Sequence, residues 1–477
     1  MLSPRSNRRY VFTATAIILT TLILGTQIHL STPWAARLIP GIPTSTADST
    51  PTLPCHELPG ANETLVVLKT GAGEIAAKLP IHLQTTFKCY PETLIFSDLD
   101  ETFMARTVLD VLDDVLPELK ATHPDFDLYR RLQRKGRTAL APSELSGPSV
   151  RPEGTSGKPT VPGWNLDKYK FLPMMRETLD SHPGKQWYVF VEADTYISWA
   201  SLLAYAAALD PAKPYYIGAP SVIGDVEFAH GGTGFLVSRP ALEIVVAEYV
   251  AHQFDWEVLT ANHWAGDCVL GKAFRDAGVP LTAAWPIWQG DEVGRMNYDR
   301  VDNGERRQWC TPTVSYHHLS TDAIRSLWEF EQKWLSDAGN VSRPKYHSAI
   351  MQLRIVCAEL TQSSQTSSNP FLRHKDVFAN YILPQTTHNR SDWDNHSDKE
   401  LASSSSSPSA SPEDCNTLCE GDASCLQWAF SAEGKCLSTS KPNLGEPSNG
   451  TVSGWISRRM QQFYDDGPVC GDVQWIS

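Results

Sequence analysis

Carboxylates and imidazoles stand at the ends of apolar runs at three places along this chain, and their types frame a chemistry of metal and phosphate. The run Trp187 to Val191 stops at Glu192-Ala193-Asp194, which places a carboxylate at the tip of a strand. In α/β enzymes the carboxyl end of a buried strand is where a metal and a phosphorylated ligand are held. Glu192 and Asp194 would equally serve as polar residues that open a loop and cap the helix after it. Asp267 opens a helical stretch running through Phe274, as an N-cap or as a functional acid, and His317-His318 end the β-prone run from Val314. Imidazoles so placed are metal ligands or plain surface histidines.

A glycine cluster lies between these acids. Phe228-Ala-His-Gly-Gly-Thr-Gly-Phe-Leu-Val-Ser238 holds Gly231, Gly232 and Gly234 just before an apolar run. Such a cluster allows positive φ and close approach of backbone to a ligand, or makes a tight turn; it does not match the G-x-G-x-x-G dinucleotide fingerprint.

The elements that must position these residues follow from periodicity. Leu65–Leu68 and Thr93–Phe96 are strand candidates with a helix over Glu74 to Phe87 between them, the opening of an α/β sheet. Asp98 and Asp100 follow the second strand. Thr138 to Gly163 is rich in Pro, Gly and Ser and predicts a surface insertion; Leu166 to Leu179 has helical spacing, with a kink expected at Pro173. A helix over Ser198 to Leu209 and a short strand at Tyr215–Gly218 come next.

The 477 residues, 41% hydrophobic and 20% charged, allow one large domain or two. A net charge of −13 without a basic run argues against a nucleic-acid partner. Arg5, Arg8 and Arg9 precede an uncharged apolar stretch from Tyr10 to Leu30, which predicts a membrane anchor with its amino end in the cytoplasm; a secretory signal cleaved near Ala35-Ala36 is the rival reading. Both send the chain into the secretory pathway. Sequons at Asn62, Asn340, Asn389, Asn395 and Asn449, and ten cysteines without a paired Cys-x-x-Cys zinc pattern, agree with that compartment.

Composition divides the chain into a cytoplasmic tail (1–9), an anchor (10–30), a Pro/Thr/Ser-rich stem (31–61), a main α/β domain (62–350), a Ser-rich linker (351–412) and a cysteine-dense module (413–477). Within the main domain, Ala323 to Leu335 reads as an amphipathic helix. In the module, Cys415, Cys419, Cys425 and Cys436 predict disulfides whose pairing is open.

In this order, VFVEADTYIS, FAHGGTGFLVS and GDCVLG resemble the strand-and-acid motif, the Gly-Gly-x-Gly segment and the Asp-Cys-x-x-Gly helix start of glycosyltransferase family 31, the fringe and core 1 β-1,3-galactosyltransferase group, in its fungal form. The resemblance spans about Leu65 to His318. It implies a GT-A (Rossmann-like) fold, a single-pass type II Golgi protein with its catalytic domain in the lumen, and transfer of a hexose, galactose in β-1,3 linkage by its nearest-looking relatives and N-acetylglucosamine by the fringe group. The donor would be a UDP-sugar, the acceptor a glycan or glycoprotein, and the reaction inverting. By the same resemblance Asp194 binds Mn²⁺ against the diphosphate with His317 or His318, Glu192 takes the first acidic position, Asp267 is the base, and Gly231 and Gly232 form the floor beside donor and acceptor. The module is similar to PAN/apple domains. The usual acidic triplet has Ala193 at its centre, with Asp98 and Asp100 as substitutes. A degenerate lumenal glycan-binding or scaffold protein on the same fold is the alternative.

Overall fold

Thr64–Lys69 (β1) is buried along its whole length and Trp187–Glu192 up to its last residue, as expected of central strands covered on both faces. Alternation splits their side chains. Leu65, Val67, Tyr188 and Phe190 enter one apolar cluster, and Val66, Leu68, Val189 and Val191 enter the other.

The computed structural model describes residues 54–145, 162–298, 300–302, 306–341, 370–401, 411–473 and 475. The chain divides into two units, Met1–Ser49 and Thr50–Ser477, and the first lies outside the described residues. The tail 1–9, the anchor 10–30 and most of the stem 31–61 therefore fall outside them too. No helix among the described residues is long and apolar enough to cross a membrane.

After β1 come Thr93–Ser97 (β2), Glu101–Phe103 (β3), Arg106–Asp110 (β4), Trp187–Glu192 (β5), Tyr196–Ile197 (β6), Tyr216–Gly218 (β7), Pro220–Ile223 (β8), Val226–Ala229 (β9), Phe235–Ser238 (β10) and Leu281–Ala283 (β11). Eight of these form one mixed sheet in the order β11-β7-β10-β5-β1-β2-β4-β3. β1 lies parallel to both β2 and β5, whereas β10 runs antiparallel to β5 and β7. The chain leaves β1 toward β2 on one side and later returns as β5 on the other. The carboxyl ends of β1 and β5 thus flank the crevice where open α/β sheets bind ligands.

The helix expected over Leu166–Leu179 is two helices, Pro162–Asp167 and Phe171–Ser181. Pro173 falls in the first turn of the second, where no intrahelical N–H is needed, so it kinks nothing. The break lies at Lys168–Lys170, where Lys170 Nζ donates to the Thr70 carbonyl at 2.7 Å. Of the expected insertion, 146–161 lie outside the described residues.

The linker expected over 351–412 is in part folded. Residues 370–401 supply the helical turns His374–Val377 and Phe378–Ile382 and the strands Arg390–Asp394 and Lys399–Glu400. Serine content masked the apolar set Leu372, Val377, Phe378, Tyr381 and Ile382, all of it buried. The two strands join Glu446–Trp455, Gln427–Phe430 and Cys436–Thr439 in a five-stranded antiparallel sheet, so the carboxyl-terminal unit begins well before 413. Cys415–Cys436 and Cys419–Cys425 pin the helix Pro412–Gly421.

This unit is not a separate bead. Leu372, Phe378, Leu444, Trp455 and Met460 share one apolar cluster with Tyr196, Tyr316, Leu319 and Ile324 of the main domain, and Cys310–Cys470 bonds the two covalently. Cys55–Cys89 closes the amino-terminal end, Cys268 is unpaired and buried, and Cys357 lies outside the described residues. The Asn395 sequon is a structural asparagine. Its side chain is fully buried and donates to the Trp428 and Gly454 carbonyls, while Asn62, Asn389 and Asn449 are exposed.

Candidate active site

In the β1–β5 register Lys69 stands beside Glu192. The Lys69 ammonium, buried at 4% exposure, contacts Asp167, lies 3.0 Å from Glu192 Oε1 and sits 4.4 Å from the Phe171 ring centre. Burial works against that charge, but Asp167 and Glu192 outweigh it and hold the ammonium charged. Glu192 is therefore an ion-pair partner of Lys69. The loop after β1 is fixed from below, because Asp98 accepts from Ala72 N at 2.8 Å and lies 3.4 Å from Lys170 Nζ. Asp100 accepts from Asp110 N. Both acids thus have structural partners of their own and do not stand in for a missing acid at position 193.

Beyond β5 the chain turns through a Thr195 N to Glu192 O bond. Ala193 is buried in the apolar cluster below the strand, and its carbonyl accepts from His82 Nε2 at 2.9 Å. His82 Nδ1 lies 3.0 Å from the Thr86 hydroxyl, and burial lowers the pKa of this imidazole. A carboxylate at 193 would point into this buried region, which accounts for alanine there.

Asp194 is placed by strand pairing. Ser315–Tyr316 runs antiparallel to β6 with Ser315 opposite Ile197 and Tyr316 opposite Tyr196. Leu319 N donates to Asp194 O at 3.0 Å, so His317 and His318 arrive beside Asp194. His318 adopts φ +58°, and the two imidazoles stack with centroids 3.8 Å apart. One ligand atom from each of Asp194, His317 and His318 lies within 4.8 Å of the others.

The polar atoms of this trio are short of partners. Asp194 Oδ2 is 3.3 Å from Lys78 Nζ, and Oδ1 faces His317 Nε2 at 3.4 Å without hydrogen-bond geometry. His317 Nδ1 and His318 Nδ1 are likewise buried and unbonded. Burial would raise the Asp194 carboxyl, but its charged surroundings, His317 and Lys78 chief among them, overcome it and hold it well below the usual carboxylate range. Burial, helped by His317, lowers His318 to about 4, so its ring is neutral and able to ligate. An ionised carboxylate oxygen beside imidazole nitrogens lacking protein partners fits a divalent cation. The fit holds whether His317, His318 or both contribute.

The glycine segment forms the facing wall. Thr195 Oγ1 donates to Gly232 O at 2.6 Å, and the His317 ring occupies the space a side chain at Gly232 would need. Gly231 packs on Phe171 and donates its N–H to Asp267 Oδ2 at 2.9 Å. Asp267 lies in the first turn of the helix Gly266–Asp276, whose N-cap position belongs to Ala265, and its Oδ1 also accepts from Cys268 N at 2.9 Å. Burial pushes that carboxyl up, the Gly231 N–H opposing. A carboxyl so raised is a better proton acceptor than an exposed one. Trp264, three residues earlier, is 54% exposed.

The structure brings Glu192, Asp194, Gly231, Gly232, Asp267, His317 and His318 to one end of the sheet. Lys69, Lys78 and His230 were missed in the sequence. The two lysines carry no signal beyond following or facing β1, whereas His230 stands inside the glycine segment itself.

Residues 170–333 match the Fringe-like family. That span holds Glu192, Asp194, the glycine segment, Asp267 and both histidines. The match supports a glycosyltransferase of the fringe-like type, which implies a nucleotide-sugar donor and a glycan acceptor. No curated protein matches the chain.

Proposed function

We propose that this protein is an inverting hexosyltransferase that moves galactose from UDP-galactose to a glycan hydroxyl in β-1,3 linkage, with Mn²⁺ at Asp194, His317 and His318. The observation that carries the reading is the convergence of an ionised carboxylate and two imidazoles at the β5 tip, with a second, protonatable carboxylate at Asp267 held by the facing glycine wall. When bound, the cation neutralises charge that develops on the departing diphosphate. Lys78, beside Asp194, adds positive charge on the same side. Asp267 takes the acceptor's proton as the acceptor oxygen attacks the anomeric carbon from the face opposite UDP, which inverts that carbon. The choice of galactose rests on motif resemblance.

A Golgi, type II setting is part of the proposal. Among the described residues, four disulfides suit an oxidising lumen and three exposed sequons, Asn62, Asn389 and Asn449, suit passage through the secretory pathway. The test is UDP release by the purified chain on a panel of UDP-sugars, with and without Mn²⁺ and glycan acceptors. Metal-dependent release with one donor supports the reading. Glycan binding with no UDP release from any donor would leave a lumenal lectin or scaffold in its place.

A further inference from the structure

We propose that the imidazole of His230 binds a sugar hydroxyl at the reaction centre. The inference rests on the glycosyltransferase reading and extends it to a residue that reading does not use.

The backbone of His230 is tied on both sides. Its N–H donates to Ala219 O at 2.9 Å, and its carbonyl accepts from Thr233 N and from Thr233 Oγ1. The ring has no such anchor. Among the described residues neither nitrogen has a hydrogen-bond partner; Nδ1 is shielded by protein and the residue is only half-buried, which leaves Nε2 as the nitrogen a ligand can reach. Buried polar groups are nearly always paired, so an unpaired imidazole needs a reason. Packing does not supply one, since the nearest ring, His317, is 5.6 Å away and tilted at 58°.

The position of the ring supplies it. The His230 ring neighbours that of His317, a member of the Asp194–His317–His318 group, and the N–H of the next residue is bonded to the Asp267 carboxylate. Those two groups bracket the place where the anomeric carbon and the attacking hydroxyl meet. The Nε2 of an imidazole either donates or accepts, according to tautomer, and a hydroxyl can answer in both cases. In the transfer step the acceptor oxygen bonds to the anomeric carbon, the bond from that carbon to the UDP oxygen breaks with its electron pair leaving on UDP, and the proton passes to Asp267. His230 keeps no proton; it orients the hydroxyl. That hydroxyl belongs to the acceptor or to the donor sugar, and the two sources separate by experiment.

The full chain is compared with His230→Gln, which keeps a polar group near the Nε2 position, and with His230→Phe, which keeps only bulk. His230→Ala repeats the comparison without the second ring. Three quantities are read: transfer to acceptor, UDP release to water without acceptor, and Mn²⁺ retention by electron paramagnetic resonance. Loss of one such hydrogen bond lowers kcat/KM for transfer about tenfold in His230→Phe, with Mn²⁺ retention unchanged and most of the rate restored in His230→Gln. If the hydroxyl is the acceptor's, acceptor KM rises and UDP release to water is unchanged; if it is the donor's, both rates fall together. His230→Phe and His230→Ala both within about twofold of the parent in transfer and hydrolysis would overturn the proposal, as would loss of Mn²⁺ in step with rate. A parent chain that releases no UDP from any donor removes the transferase reading and this inference with it.

Discussion

The His317 imidazole lies directly over the α-carbon of Gly232, so that a Cβ built there would be 2.0 Å from Cε1 and 2.4 Å from Nε2. The glycine wall and the histidine are one fitted pair, and neither can change without the other.

Gly232→Ala should therefore push His317 away from Asp194. A displacement of about 1 Å at a reacting centre costs on the order of 100-fold in rate. We expect weaker Mn²⁺ binding and a matching fall in UDP release, read by metal titration and initial rates. A variant with unchanged metal affinity would show that His317 is not a ligand.

Asp194→Asn removes the ionised oxygen while keeping the shape. Mn²⁺-dependent turnover should fall by about 100-fold or more, and extra metal should recover part of it. Turnover equal to the parent at limiting Mn²⁺ would remove Asp194 from the site.

The pH profile should carry the mark of Asp267. A base works only when deprotonated, and burial raises this carboxyl above its ordinary value of 3.8. Activity should accordingly be full on the alkaline side and decline as pH falls, with a midpoint above that of an exposed aspartate. Asp267→Asn should abolish that limb and lower kcat by roughly 10²–10⁴. Rate profiles of kcat/KM against pH for both chains decide it.

Stability should show the opposite pH sense at Glu292. Burial, together with Glu446, pushes its carboxyl up to about 7 from 4.5. The folded state then binds a proton that the unfolded chain has released, so stability is highest below pH 4.5 as far as this group is concerned and falls as pH rises through about 7. Glu292→Gln should raise stability at pH 8 by up to about 3 kcal/mol and leave it nearly unchanged at pH 4. Denaturant unfolding at the two pH values measures the difference.

Glycan mapping tests the fold of the carboxyl-terminal unit. Expressed through a secretory pathway, the chain should carry glycans at exposed sequons such as Asn62 and none at Asn395. Asn395→Gln should cost stability on the order of 1–3 kcal/mol because it disrupts buried hydrogen bonds, whereas Asn62→Gln should cost almost none. A glycan found at Asn395 would contradict its burial.

Much of the main sheet and the site was legible because the physics there is local. The apolar runs of β1 and β5 alternate between two covered faces, and the switch to acids marks the end of β5. Asp194 is legible at that strand end and Asp267 at the start of a helix. What brings them together is long-range and left little trace. The pairing of Ser315–Tyr316 with β6 joins residues far apart in sequence, and the partners of Glu192 and Asp98 are lysines that look like ordinary surface charges. The burial that explains Ala193 is likewise set by distant packing. The folded part of the expected linker over 351–412 is hidden because the serines around it dilute the apolar residues of 371–383.

The cluster joining Tyr196 and Tyr316 to Leu444, Trp455 and Met460 also has a consequence for the order of synthesis. A chain made from its amino end exposes the underside of its own site while the 160 residues from Cys310 to Cys470 are still being made. At the usual pace of about 5–20 residues per second this interval is roughly 8–32 s. The nascent protein must pass through it with that apolar face bare, and its site is backed by a finished core only after the last segment has been released.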